Sequence, residues 1–292
     1  MLIGTTDGFF STCSIQESMK RIKNAGYDCV DFGLCDFSSP DGPLMGENWR
    51  SWLKDIYKAT TDAGLFIHQT HALFGHFISD FVYAPPEVIF HRNIEACAVL
   101  RSKEIVFHPV FYREVVDTID LRKRLFDYNV KWFTELAPTA KSLGIFINLE
   151  NTYDGRKQPL DPPFSTASDM ISIVEELNDS IFGVCLDTGH AHIMKQDIPD
   201  MIRRFGDHLR VLHINDNFGA ISPVVSDQHL YPGNGTIDFA TLFKALKDSN
   251  YSGVFSLEPD EFLLRMPINI RDVAIAGGAA IVRAYALNAG FE

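Results

Sequence analysis

From the amino terminus onward, apolar β-rich runs alternate with longer stretches of helical period. The first run is Leu2–Thr5, and a helix is predicted from Ser14, with Glu17 at capping-box spacing, to near Gly26, a glycine suited to a helix end. Tyr27–Leu34 reads as the second strand, Trp49–Ala63 as a helix stopped by Gly64, Leu65–Ala72 as the third strand, and Pro86–Leu100 as a helix. The remaining strands are predicted at Glu104–Val110, Ile145–Glu150, Phe182–Asp187, Leu209–Asn215 and Gly253–Glu258. Helices are predicted over Leu121–Leu143, Ala167–Leu177, Ile198–Phe205, Phe239–Lys247 and from about Asn269 to Leu287. Pro138 lies inside the first of these and is expected to kink or interrupt it.

The strands are near-continuous apolar runs, as expected where both faces of a parallel sheet are buried. Strict βα alternation fits an open doubly wound sheet or a closed barrel. Eight units within 292 residues favour an α/β fold of the (β/α)8 TIM barrel type, with residues 1–292 as a single domain. No GxGxxG follows the first strand and no GxxxxGK[ST] occurs, so the usual nucleotide loops are missing.

Composition narrows the class. With 46% hydrophobic and 22% charged residues the chain has material for a core and no sign of disorder. There is no uninterrupted apolar stretch of about 18 residues, so no membrane span is predicted. The opening MLIGTTDGFFSTCS lacks a basic region ahead of an apolar run, and a cytoplasmic location is the expectation. Five cysteines without a CxxC pair argue against a disulfide framework or zinc ribbon. The formal charge of −12 sets a field that repels polyanions, so no nucleic-acid partner is expected.

Several strands run apolar and then end in a side chain able to hold a metal or move a proton. These are His68 and His71 on the third, His108 on the fourth, Glu150 on the fifth, Asp187 with His190 just beyond on the sixth, His213 on the seventh and Glu258 on the eighth. In a barrel these ends share one face, where active sites of this fold lie. Glu150, Asp187 and Glu258 would bring three negative charges into one mouth, where mutual repulsion raises carboxyl pKa values. A divalent cation relieves that, and mixed carboxylate and imidazole donors suit manganese, cobalt, zinc, iron or magnesium. A lone acid at a strand end is more often a helix cap, and Asp187 before Thr-Gly-His fits that reading too. His68 and His71, three apart, should face opposite ways, with His71 toward the mouth. His91 and His208 read as structural, and His76 and His192 as loop or supporting residues.

The segments INLEN around Glu150, CLDTGHAH from Cys185 to His192, LHINDN around His213, SDQHLYPGNGTIDF from Ser226 to Phe239 and FSLEPD around Glu258 together resemble the xylose isomerase-like TIM barrel superfamily. More narrowly, the chain is similar to its sugar (or sugar-phosphate) isomerases and epimerases. That resemblance implies one divalent ion, manganese first, on Glu150, Asp187, His213 and Glu258. It implies that the two glutamates also act as an acid–base pair, and that His190 contacts a substrate oxygen beside the carbonyl. His71, His108, Asp227 and His229 would line the pocket and bind substrate. The epimerases carry an arginine shortly after the seventh-strand histidine, whereas His213-Ile-Asn-Asp-Asn-Phe-Gly219 has none, which leaves the substrate open.

The chemistry stands apart from the resemblance. Removing a proton beside a carbonyl gives an enediolate, whose charge needs a Lewis acid. A base on one face and an acid on the other invert the carbon, while one glutamate shuttling on a single face interconverts aldose and ketose. The same superfamily holds abasic-site endonucleases with a three-metal cluster, and His71, His108, Glu150, Asp187, His190, His213, Asp227, His229 and Glu258 match much of that set. Dehydratases and carbon-glycoside lyases share the enediolate, and a sugar-binding protein without catalysis is a further alternative. Arg113, Arg156 and Lys157 are placed to meet a phosphate or to stay solvated. Phe9, Phe10, Phe37, Phe74, Phe77 and Phe111 are expected to wall the pocket or to pack against a neighbouring subunit of a homo-oligomer.

Overall fold

The structure, a computed structural model, describes residues 1–10, 13–39, 41–74, 77–78, 88–112, 118–153, 162–219 and 227–292. Eight parallel strands form the barrel: β1 (Ile3–Thr6), β2 (Cys29–Gly33), β3 (Phe66–His71), β4 (Glu104–Phe107), β5 (Phe146–Glu150), β6 (Phe182–Asp187), β7 (Leu209–His213) and β8 (Phe255–Leu257). From β1 to β7 each strand pairs with the next in sequence, and β8 pairs back onto β1. The remaining seam between β7 and β8 is nearly closed just beyond β7, where Ile214 N donates to Ser256 O at 2.8 Å and Glu258 N donates to Ile214 O at 3.0 Å. A separate two-stranded pair joins Phe77–Ile78 to Phe111–Tyr112.

The outer ring consists of α1 (Ile15–Asn24), α2 (Trp49–Asp62), α3 (Val88–Val99), α4 (Ile119–Leu143), α5 (Ala167–Leu177), α6 (Ile198–Phe205), α7 (Phe239–Asp248) and α8 (Arg271–Asn288). Local chemistry sets their ends. Ser14 accepts from Glu17 N at the start of α1, Thr118 caps α4, and Gly144 ends α4 at φ 66°, a conformation glycine adopts without steric cost. Of the two effects expected of Pro138, interruption does not occur: α4 runs through it unbroken. Trp132, Phe133, Leu136, Ala137 and Ala140 are all buried around it, and their packing outweighs the one lost backbone bond.

Strand residues divide by parity. Val30, Phe32, Ile105, Phe107, Ile147, Leu149, Val184 and Leu186 join the large apolar core with the inner faces of the helices. The alternate residues point into the barrel, where, among the described residues, Val106, Cys185 and Val211 form an apolar layer. Above and below that layer the lumen is polar. Cys185 is thus a small hydrophobe, and all five cysteines are free thiols. No described helix is long and apolar enough to cross a membrane.

Candidate metal centre

Beyond the Val106–Cys185–Val211 layer, inward-facing positions at the carboxyl ends of the strands bring together the residues singled out above. Glu150 closes β5 and lies at the middle, 1% exposed. Its Oε2 is 3.1 Å from the Nε2 of His71 and 3.1 Å from the Nε2 of His108, while its Oε1 is 3.2 Å from the Nδ1 of His213. Donor atoms of Glu150, Asp187, His213 and Glu258 all lie within 4.8 Å of one another. Three further groups meet the same limit: His71 with His108 and Glu150, Glu150 with Cys185 and His213, and His190 with Asp227 and His229.

The donor set fits a cation on an observation independent of resemblance. The Nδ1 of His213 and the Oε2 of Glu258 are buried, 3.5 Å apart, and neither makes a hydrogen bond. Buried polar atoms rarely stay unpaired, and an ion between them would satisfy both. The other ring nitrogen of His213 is held by Asp31, at 2.9 Å, and Asp31 also accepts from Gln69 Nε2 at 2.8 Å.

Asp187 carries both readings open to it. Its Oδ1 caps the short helix Thr188–Ile193 by accepting from His190 N at 2.6 Å, and its Oδ2 accepts from Asn215 Nδ2 at 2.7 Å toward the mouth. The cap fixes the carboxylate rather than competing with a site. Asn151 clamps the same residue through the backbone, Asn151 Nδ2 donating to Asp187 O and Asp187 N donating to Asn151 Oδ1.

Ionisation is divided. Burial raises the Glu150 carboxyl, but the imidazoles of His213 and His108 outweigh it and hold it well below the usual range. Burial also raises Glu258, and there it prevails over His213 and His229, so that this carboxyl lies well above its ordinary value. Burial lowers His190, but Asp187 and Asp227 overcome it and lift the imidazole to about 10. The His190 ring then donates to Asn151 O at 2.9 Å and to Asp227 Oδ2 at 3.1 Å. The same Asp227 oxygen takes the Nε2 of His229 at 2.8 Å, and the Nδ1 of His229 donates to Glu258 O at 2.9 Å.

Of the aromatics, Phe74 stacks on His108 with ring centres 5.2 Å apart and remains 48% exposed at the mouth. Phe10 is buried, and Phe37 packs on Phe32 and Trp52 away from the ligands. His91 bonds Thr139 and His192 bonds Thr236, in keeping with structural roles. His76, Arg113, Arg156 and Lys157, and the side chains of Phe9 and Phe77, lie outside the described residues.

Sequence reasoning passed over Asp31, Asn151, Asn215 and Asp216. Asp31 left a signal, a lone acid inside the apolar run Tyr27–Leu34. Asp216 explains the Pro-Gly-Asn-Gly segment: its carboxylate accepts from Gly233 N at 3.0 Å, Gly235 N at 2.7 Å and Ile237 N at 3.1 Å, pinning that turn over the seventh strand.

The xylose isomerase-like TIM barrel family matches residues 19–271, and the chain belongs to that family. Among its relatives is a D-psicose 3-epimerase of Enterocloster bolteae, 30% identical over 132 residues, which are 44% of this chain and 38% of that protein. An inosose isomerase of Bacillus subtilis is 28% identical over 58% of each chain. The match thus covers less than two thirds of either relative's length. A ketose 3-epimerase of Arthrobacter globiformis is 26% identical over 84% of this chain and 78% of its own. Among solved structures, a D-psicose 3-epimerase in the presence of D-fructose superposes with a TM-score of 0.75 at 19% identity, covering 98% of this chain and 99% of that one. An IOLI protein with a zinc atom gives 0.69 at 18% identity over 98% of both chains. At such identities the structures establish the barrel, and the three sequence relatives above are named as ketose epimerases and an inosose isomerase.

Proposed function

We propose that the protein is a divalent-metal-dependent isomerase or epimerase of a sugar or sugar phosphate. The observation that carries this reading is geometric: donor atoms of Glu150, Asp187, His213 and Glu258 converge within 4.8 Å of one another, with the two glutamates arriving from different strands of the ring. In this reading Glu150 takes the proton from the carbon beside the substrate carbonyl. Glu258 returns one from its own side, and the carbon is inverted. His190, whose two ring nitrogens are engaged by Asn151 O and Asp227, would donate to the neighbouring substrate oxygen by releasing its Asp227 bond.

Glu150, Asp187, His213 and Glu258 would hold the metal, with manganese the first expectation and zinc supported by the zinc-bound IOLI neighbour. The ion supplies Lewis acidity to the oxygens on which charge develops. Relatives named as epimerases and isomerases support the reaction class. Dehydratases and lyases would use the same proton abstraction and are separated only by product.

Abasic-site endonuclease activity is a second reading, favoured by the neighbouring donor groups His71–His108–Glu150 and His190–Asp227–His229 beside the central one. Against it stands the charge of −12, which opposes a DNA backbone. The deciding experiment incubates the metal-loaded protein with ketoses, aldoses, inososes and their phosphates in heavy water. Deuterium entering one carbon names substrate and reaction together. No exchange on any of them, with nicking of an abasic duplex, would overturn the sugar reading.

A further inference from the structure

At the opposite end of the barrel we propose a second small-molecule site, a polar cavity over Glu104 and His68 that takes a neutral polyhydroxy ligand of monosaccharide size. The cavity measures about 420 Å³ and is bounded by His68, Glu104, Phe146, Arg210, Asn250 and Ser252 among others. None of these belongs to the metal centre. His68 and His71 are three residues apart on β3, which places the two sites about 10 Å apart along the strand.

Two irregularities of the sheet build this cavity. Between β2 and β3 the pairing passes from Val30↔Ile67 to Asp31↔Gln69, leaving His68 as the extra residue. Between β6 and β7 it passes from Val184↔Leu209 to Cys185↔Val211, leaving Arg210 as the extra residue. β-Bulges re-aim side chains and recur beside functional sites. Here both extra residues line the same cavity. Gly183 makes room for Arg210, since a Cβ there would stand 2.6 Å from the Arg210 Cδ and 2.7 Å from Asn148 Oδ1.

The chemistry of the lining selects the ligand. Arg210 is anchored, donating to Ser180 O at 2.5 Å with its guanidinium 4.2 Å over the Phe146 ring. Asn148 Nδ2 donates to Glu104 Oε2 at 2.8 Å and fixes that carboxylate. Among the described residues, Glu104 and Asp207 face the single cation Arg210 around the cavity. The lining thus carries a small negative excess, which disfavours an anionic ligand such as a sugar phosphate and leaves a neutral polyol to bind through hydrogen bonds. The Nε2 of His68 is buried and makes no hydrogen bond. A hydroxyl donates and accepts, and so satisfies this nitrogen in either tautomer, and a second one on the same ligand can donate to the Glu104 carboxylate that lines the same cavity. The volume is many times the ~30 Å³ share of one water and admits a hexose or cyclitol. This site stands whether or not the metal centre performs sugar chemistry.

The test is calorimetry and crystal soaking of the metal-loaded full chain with D-fructose and myo-inositol. The expected result is ring density at the base, with oxygens in hydrogen-bonding reach of Glu104 and His68. Glu104→Gln should weaken basal binding roughly tenfold, as loss of a charge-assisted bond does, and Ser252→Trp at the exposed rim should block it while leaving binding at the metal end intact. Absence of basal density from both probes at concentrations that fill the metal end, or binding unchanged by both variants, would overturn the proposal. If the metal end alone fails to bind sugar while the base binds it, the proposed function falls and this site remains.

Discussion

His213 is clamped between two carboxylates of different duty: its Nε2 donates to Asp31 at 2.9 Å, and its Nδ1 faces Glu150 and Glu258 at 3.2 and 3.5 Å. A proton held on the Asp31 side leaves Nδ1 as the lone-pair nitrogen, so Asp31 sets the tautomer a metal requires. Supporting partners of this kind are worth about 10–100-fold in metal affinity. Asp31→Ala is expected to lose that much in competition with a fluorescent chelator. Asp31→Asn, which keeps an acceptor oxygen, should lose less.

The two glutamates should fail differently. Glu150→Gln removes the base and is expected to abolish both turnover and solvent exchange. Glu258→Gln, with Glu150 intact, should lose about 10²–10⁴-fold in product formation while still exchanging the substrate proton of one epimer. Mass spectrometry of product and recovered substrate in heavy water separates these outcomes, and equal loss of exchange in both variants would contradict the assigned roles.

Metal content distinguishes the two functional readings. One divalent ion per chain by elemental analysis, removed by a chelator together with activity, is expected for the sugar enzyme. Three ions per chain would instead fill His71–His108–Glu150 and His190–Asp227–His229 as well, and would favour the endonuclease.

Gly189 should be intolerant of a side chain. A Cβ there would overlap the Asn215 carboxamide and come 2.9 Å from Asn217 Nδ2, and Asn215 is the residue that holds Asp187 Oδ2. Gly189→Ala is expected to cost about 1–3 kcal/mol through overpacking, read by denaturant unfolding, and to weaken metal binding through Asp187.

Stability of the metal-free protein should carry a signature of Asp7. Burial, assisted by Asp260 and Asp31, pushes its carboxyl up to about 7, against the bond it accepts from Gly33 N at 3.0 Å. A carboxyl raised in the folded state binds its proton more tightly there than when unfolded, where its value is ~3.9. Its stabilising contribution is therefore complete below about pH 4 and lost as pH rises through 7. Asp7→Asn should flatten that decline, raising the Tm above wild type more at pH 8 than at pH 4. Parallel melting curves for the two proteins would remove Asp7 as the cause.

Much of this architecture was written locally. The near-continuous apolar runs, the period-3.6 stretches between them, the glycines after α1, α2 and α4 and the capping residues mark eight strand–helix units. The acids and histidines closing those strands, from His71 to Glu258, are visible as polar breaks in apolar runs, because a strand end is a position in sequence as well as in space. Other features depend on neighbours far away along the chain. That Asp31 serves His213, 182 positions later, follows only from the closing of the ring. The opposed ionisation of Glu150 and Glu258 likewise depends on which imidazoles surround each carboxyl in the folded barrel. The two bulges that carry His68 and Arg210 to the base are matters of register between strands, and register is an agreement between two segments that neither can specify alone.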